Sequence, residues 1–248
     1  MVTRMVSKKL VFLSMFFLMT VASICQLKNL SISGGISTIE ILGNSPKSAL
    51  IVNRNPDVAT VGGSFDGTQP GMGFKINASI DENNIYMIPI GIDYYFFEGL
   101  ERIPAPGNYT SKWKHTTGIL SLSAGFNYGF IKFPYANVRG YAGIEIRGTK
   151  VNQGELVQTT IDSKSNTTTI DVISTKENAY RLGGALYLGF VGDIVSPWYI
   201  NTYIGLGIMN LVGRDDTRGE LLTPFQYFET NESIIYNLHF SLLIQYRL

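Results

Sequence analysis

The sequence predicts an all-β fold, an eight-stranded antiparallel up-and-down transmembrane β-barrel with short turns at one rim and long loops at the other. Apolar and polar residues alternate with a period of two in segment after segment, and the connections between these segments are alternately short and long. After the first 25 residues, no stretch approaches the ~20 consecutive apolar residues of a membrane-spanning helix. Abundant Tyr, Phe and Gly (14, 14 and 26 residues) favour strands and turns.

The alternation is clearest in the last segment, residues 236–248. Its apolar positions are Tyr236, Leu238, Phe240, Leu242, Ile244, Tyr246 and Leu248, and its mostly polar positions are Asn237, His239, Ser241, Leu243, Gln245 and Arg247. The same pattern recurs near residues 72–80, 86–96, 120–130, 138–147, 180–190 and 198–208. A glycine-broken segment at residues 30–38 completes the predicted eight strands.

The connections predict two different rims. Long connections cover residues 40–70, 98–116, 150–178 and 212–232, and short ones cover residues 81–84, 131–137 and 191–197. The third long connection is itself strand-like, because Val157, Thr159 and Ile161 face Thr168, Ile170 and Val172 across a turn-like centre. We interpret it as a ribbon that continues the fifth and sixth strands, with an edge that could accept a partner by strand addition.

The volume of the lumen decides which face points inward. An eight-stranded barrel is just wide enough inside to be filled by side chains, so the large apolar residues of every strand must face outward, toward lipid. The polar face then predicts a lumen network formed by Lys75, Asp93, Arg139, Glu145, Arg147, Arg181 and Arg247. Because both charge signs occur, we expect a hydrogen-bonded, salt-bridged plug rather than an open pore.

Specific contacts are expected within this network. Lys75 opposite Gly91 would make Asp93 its diagonal neighbour, in direct or networked contact. Glu145 should neutralise Arg147 on its own strand and Arg181 on the next.

Aromatic residues cluster at the ends of the predicted strands and predict two interfacial girdles. The girdle beside the short turns consists of Tyr128, Phe130, Phe190, Trp198 and Tyr246, and the loop-side girdle consists of Tyr94, Phe96 and Tyr180.

The N-terminus predicts a cleavable signal peptide over residues 1–25, followed by a single barrel domain over residues 26–248. A basic start (Arg4, Lys8, Lys9) precedes an apolar run of about 15 residues, which is too short to span a bilayer. Small Ser23 and Cys25 suit peptidase cleavage before Gln26, and lipidation of Cys25 is the alternative. Cys25 is the only cysteine, so the barrel domain would have no disulfide.

The chain resembles the small eight-stranded bacterial outer-membrane β-barrel family, which includes OmpA-, OmpX- and OmpW-like barrels. The resemblance rests on the strand pattern of the whole mature chain and implies a place in the Gram-negative cell envelope, among outer-membrane lipid and lipopolysaccharide. It also implies that barrel-assembly machinery reads the C-terminal strand, which matches the family pattern except that Leu248 rather than Phe is last.

The predicted function rests on the long loops. We expect a non-enzymatic surface barrel whose long loops contact an unknown external partner, with a narrow porin-like conduit for small or apolar molecules and a lipid A modifying enzyme as alternatives. His239 and Ser241 resemble the His-x-Ser of lipid A deacylase barrels. However, both lie at positions of the last strand that face the lumen, where a lipid substrate would not reach them. No catalytic, cofactor-binding or metal-binding residue is predicted, His115 being assigned to a basic loop. Removing the leader leaves 17 of the 20 basic side chains against 19 acidic ones, which argues against nucleic acid.

Overall fold

The computed structural model describes residues 29–48, 50, 62–104, 109–133, 135, 137–225 and 231–248. The predicted signal peptide, including Cys25, lies outside the described residues. Within these ranges, no helix has both the length and the apolar character needed to cross a membrane.

In these segments the chain forms ten strands and a single helical turn. The strands are β1 (Asn29–Leu42), β2 (Thr68–Ser79), β3 (Tyr86–Pro104), β4 (Tyr109–Phe133), β5 (Val138–Val151), β6 (Glu155–Asp162), β7 (Thr167–Ser174), β8 (Ala179–Val195), β9 (Trp198–Val212) and β10 (Tyr236–Arg247), and the helical turn is α1 (Asn44–Lys47). Eight of the strands close a ring in the order β1, β2, β3, β4, β5, β8, β9, β10, with β10 pairing antiparallel to β1. The predicted eight-stranded antiparallel barrel is confirmed.

The two faces of the ring differ as the alternation predicts. Large apolar side chains point outward and are widely exposed, for example Met72 at 67% and Leu186 at 62%. Side chains at the intervening positions point inward and are buried, and many are polar, such as Ser37, Asn127 and Asn201. The prediction of an outward apolar face is therefore confirmed, and the barrel has a polar interior in place of a hydrophobic one.

Strands at both rims extend further than the sequence indicates. β3 continues to Pro104 and β4 begins at Tyr109, so most of the long loop predicted at residues 98–116 is a strand hairpin. The short turn predicted at residues 191–197 is likewise reduced to Ser196 and Pro197, because β8 runs to Val195. Cross-strand pairing, such as that of Glu101 with Trp113, sustains these extensions where hydrophobic alternation has faded.

The long hairpin belongs to a four-stranded sheet that stands above the barrel. We call it the protruding sheet: residues 98–104 of β3, residues 109–116 of β4, β6 and β7. The predicted ribbon register is confirmed, since Val157, Thr159 and Ile161 pair with Val172, Ile170 and Thr168. The ribbon does not simply prolong the pairing of the fifth and sixth barrel strands, because β6 pairs with β4 from Tyr109 to Thr116.

A hydrophobic core closes the loop-side mouth of the barrel. Its buried residues are Ile39, Ile41, Phe65, Tyr95, Phe97, Ile119, Val151, Ala179, Met209, Leu221, Leu222 and Ile235, which come from both strands and loops. His115 fastens one loop to it, since its Nδ1 donates to the Gly63 carbonyl at 2.9 Å and its ring stacks on Phe65. Burial, together with the nearby charge of Lys176, lowers the pKa of His115 to about 4, so the ring is neutral at pH 7. His115 is thus a structural anchor rather than part of a solvated basic loop.

Candidate functional site

The centre of the barrel lumen is occupied by an ion-pair network. Glu145 on β5 accepts a hydrogen bond from the ammonium of Lys75 on β2 through Oε1. Its Oε2 accepts two more from Arg147, from Nε at 3.1 Å and from Nη2 at 2.9 Å. All three side chains are almost fully buried. One carboxylate therefore pairs with two cations, Lys75 from across the bore and Arg147 from its own strand.

A layer of tyrosines surrounds this network. The Lys75 ammonium lies 4.2 Å from the ring centroid of Tyr203 and 5.0 Å from that of Tyr187, within the range of cation–π attraction. Tyr187 packs in turn against Tyr141 and Tyr203, with ring centroids 6.1 and 5.3 Å apart. The Tyr187 hydroxyl donates to Asn127 Oδ1. Charged and aromatic groups together fill the cross-section.

Glycines facing the lumen make room for these rings. Gly143 pairs with Tyr187 and Gly189 pairs with Tyr141, both across β5 and β8. A Cβ atom at either glycine would lie closer than 3.0 Å to the ring of its partner. Each of these tyrosines therefore lies opposite a glycine on the neighbouring strand. This arrangement leaves room for several tyrosine rings inside an eight-stranded barrel.

Hydrogen bonds close the lumen below the ion pairs, toward the short turns. The Tyr141 hydroxyl donates to Asn201 Oδ1 at 2.7 Å, and Asn201 Nδ2 donates to Gln245 Oε1 at 3.2 Å. Gln245 Nε2 then donates to Ser31 Oγ at 3.0 Å. This series of hydrogen bonds links side chains on four strands, β5, β9, β10 and β1. It lies between the central network and the turn-side mouth.

The structure distributes the seven predicted lumen residues among three places. Lys75, Glu145 and Arg147 form the central network, and buried Asp93 lies beside it. Arg139 and Arg247 line a cavity at the turn-side mouth. Arg181 lies at the loop side.

Two of the expected partners differ from the observed ones. Lys75 does lie opposite Gly91, which confirms the predicted register, but its ammonium pairs with Glu145 instead of Asp93, because the lysine side chain crosses the bore to β5. Neither carboxylate oxygen of Asp93 accepts a hydrogen bond within the described part of the chain. Arg181 pairs with Glu232 rather than Glu145, its Nε donating to Glu232 Oε1 at 2.8 Å. Glu232 lies in a loop, where strand alternation gives no signal.

The predicted girdle residues lie on the outer face, although Tyr94 and Phe96 are in the middle of β3 because that strand continues to Pro104. Near the short turns, Trp198 and Tyr246 contact one another at 4.9 Å, and Tyr128 stacks on Tyr86 at 5.7 Å. At the loop side, Tyr94 and Phe96 contact one another at 4.8 Å. The remaining members, Phe130, Tyr180 and Phe190, are exposed on the same outer face.

His239 and Ser241 are buried in the lumen and do not form a catalytic arrangement. His239 Nε2 accepts a hydrogen bond from Arg147 Nη2 at 2.9 Å, and Ser241 Oγ lies 2.9 Å from Ser37 Oγ. Their exposures are 1% and 0%, so a membrane lipid cannot reach either group. Among the described segments, no group of three or more His, Cys, Asp or Glu residues is placed to hold a metal ion.

We therefore expect His239→Ala and Ser241→Ala to leave lipid A unchanged, because both residues only line the lumen. Mass spectrometry of lipid A from cells that produce each variant checks this, with the wild-type chain as reference. A lipid A modification that is present with the wild type and lost in either folded variant would contradict this assignment.

The solved structures that are similar to this chain include three, all at low sequence identity. No family model matches the chain, and no curated protein matches it. The solved structure of Neisserial surface protein A (NspA) is similar with a TM-score of 0.43 and 9% identity, over 88% of this chain and 96% of that one. Ail, the attachment invasion locus protein of Yersinia pestis, is similar with a TM-score of 0.36 and 9% identity, over 89% of this chain and 98% of that one. Ail in complex with the heparin analogue sucrose octasulfate gives 0.38 and 10% identity, over 90% and 100%.

Proposed function

We propose that this chain is a non-enzymatic integral protein of the bacterial outer membrane, whose filled barrel supports a surface that contacts an external partner. The observation that carries the proposal is the protruding sheet, which stands on a closed barrel and ends in β7, whose outer edge pairs with no strand among the described residues. We also propose export through the signal peptide at residues 1–25, and recognition of β10 by the barrel-assembly machinery.

The outer face of the barrel supports the membrane placement. Leu122, Ile146, Leu188 and Ile204 are among the large apolar residues exposed around the ring. Exposure of such a large apolar surface to water would be unfavourable, whereas lipid and the acyl chains of lipopolysaccharide are apolar solvents for it. Closure of the ring also pairs every barrel strand on both sides, as a lipid environment requires.

A barrel closed in this way should resist mild denaturation, because all its strand hydrogen bonds are internal. We expect unboiled and boiled samples to migrate differently in dodecyl sulfate gels, and the protein to stay in the membrane during carbonate washing. Identical migration, together with release by carbonate, would contradict the membrane placement.

The filled lumen supports a scaffold role over the conduit alternative. The central ion pairs and the tyrosines around them fill the cross-section, and the hydrogen-bonded layer from Tyr141 to Ser31 lies between them and the turn-side mouth. The loop-side core then covers the opposite mouth. A solute would have to displace several layers of packed side chains.

The edge of β7 supports a role in binding. All eight of its residues are exposed, including Ile170 at 62% and Val172 at 61%. Its sequence, TTTIDVIS, is rich in β-branched residues and contains no Lys or Pro, the residues that commonly protect a free edge. We propose that an extended segment of an external protein adds to this edge as a further strand.

A labelled peptide with the sequence of β6, residues 155–162, tests this edge, because β6 already pairs with β7. We expect saturable binding to the refolded protein, and binding weakened about ten-fold or more by Ile170→Lys with Val172→Lys, since edge lysines oppose strand addition. The matched control, Ile170→Thr with Val172→Thr, keeps the β-branched character and should bind as the wild type does. Equal binding by the lysine and threonine variants would contradict the proposal.

A further inference from the structure

The turn-side mouth of the lumen contains a cavity that the scaffold role does not use. It has a volume of about 170 Å³, whereas one water molecule needs only about 10–15 Å³ measured in this way. Gln245 and Ser31, the last two members of the hydrogen-bonded layer that begins at Tyr141, line its wall. We call this cavity the turn-side vestibule.

Two arginines line this vestibule, and among the described residues neither forms an ion pair. Arg139 donates from Nη1 to the Asn84 carbonyl at 2.7 Å, and the guanidinium carbon of Arg247 lies 4.3 Å from the centroid of the Tyr199 ring. Within the described residues, no carboxylate lies within 4.0 Å of either guanidinium. Both groups are held by uncharged partners, which leaves donor positions available for an anion.

The charge of the lining favours an anion. Lys132, Arg139 and Arg247 line the vestibule, and Asp193, which is exposed, is the acidic residue among the lining side chains. The carboxamides of Asn77 and Asn137 add hydrogen-bond donors to the same wall. This differs from the central network, where the carboxylate of Glu145 already neutralises the cations.

We propose that the turn-side vestibule is a binding site for a phosphate-type oxyanion, held by the guanidinium groups of Arg139 and Arg247. Guanidinium groups match the tetrahedral oxygens of phosphate through paired, charge-assisted hydrogen bonds. The ring of Tyr199 orients Arg247 for this role, as stacking restricts the guanidinium plane. The phosphate belongs either to a free small molecule or to the headgroup of a lipid at the adjacent membrane surface.

Isothermal titration calorimetry of the full folded chain in a non-ionic detergent, at constant ionic strength, tests the site with sodium phosphate. We expect saturable binding of one phosphate per chain. Arg247→Gln should weaken it by about ten-fold or more, because a charge-assisted hydrogen-bond donor is lost. Arg247→Lys, which keeps the charge, should retain more of the affinity than Arg247→Gln does. Lys164→Gln, in the exposed turn between β6 and β7, should bind as the wild type does.

The heat-dependent gel shift establishes that each variant is folded before titration. Absence of saturable heat with the wild type, or equal affinity of wild type and Arg247→Gln, would overturn the site. Repeating the titration in vesicles separates the two sources of phosphate. Binding that persists in phosphatidylcholine but is lost in phosphatidylglycerol vesicles assigns the site to an anionic headgroup, and binding that persists in both assigns it to a free phosphate.

Discussion

Glu145→Ala should lower the free energy of unfolding by about 3–5 kcal/mol, the usual cost of removing one partner of a buried ion pair. The substitution leaves the Lys75 ammonium and the Arg147 guanidinium buried without their shared carboxylate. The Lys75 ammonium lies against the Tyr203 ring, so it cannot reach water without rearranging the tyrosine layer around it. Urea unfolding of the barrel in detergent micelles or vesicles, followed by tryptophan fluorescence or by the gel shift, measures the loss.

The matched control for Glu145 is an exposed pair. Glu98→Ala removes the partner of Lys114, whose Nζ lies 2.9 Å from Glu98 Oε2, at a site where both side chains are about half exposed. A solvent-exposed pair of this kind contributes about 0–1 kcal/mol. Equal effects of the two substitutions would contradict the central role of Glu145.

The same network predicts that the wild-type barrel gives no stable conductance in a planar bilayer, because the ion pairs and tyrosines fill the bore. Discrete, reproducible channels formed by the wild type at physiological salt would contradict a filled lumen.

Gly143→Ala should also destabilise the barrel, by about 1–3 kcal/mol or more, although alanine is normally the better residue in a strand. The new methyl group would lie closer than 3.0 Å to the ring of Tyr187 and to Asn127 Oδ1. Tyr187 cannot move freely, because Tyr141 and Tyr203 pack against it and its hydroxyl donates a hydrogen bond to Asn127. The urea midpoint and the fraction of chain that shows the gel shift report the effect.

Gly148→Ala on the same strand is the control for this substitution. The nearest atom to a Cβ at Gly148 is the Leu122 carbonyl oxygen at 4.0 Å, so the methyl group fits and stability should be unchanged or slightly raised. Combining Gly143→Ala with Tyr187→Ala should cost less than the sum of the two single changes, since the smaller residue removes the clash. Additive effects in the double variant would show that the two residues do not compete for space.

Much of the barrel is predictable from the sequence, because a period of two records which side chains meet lipid and which meet the lumen. The same reasoning places Lys75 opposite Gly91 and pairs Val157 with Val172, since register between neighbouring strands follows from short turns and matching faces. The pairing of neighbouring strands can thus be predicted from residues that are close along the chain.

Contacts across the bore are not accessible in this way. The pairing of Lys75 with Glu145 joins β2 to β5, which are not neighbours in the ring, and depends on how the closed ring staggers its strands. Glu232 reaches Arg181 from a loop, and the extension of β3 to Pro104 passes through polar residues that resemble a loop. In each case the contact depends on how the folded barrel and its loops bring distant residues together, which the alternation of apolar and polar residues does not show.

The seam between β1 and β10 has a consequence for how the protein is assembled. Twelve residue pairs join these strands, from Ser31 with Arg247 to Leu42 with Tyr236, and the Ser37–Ser241 contact spans 204 positions of the chain. The entropic cost of bringing two segments together rises with the length of chain between them, so this pairing is the least favourable to initiate. Contacts of such high sequence separation form slowly, whereas the hairpins form locally. An almost complete sheet with two unpaired edges should therefore be the longest-lived intermediate, and the rate of assembly should depend on how quickly its first and last strands meet.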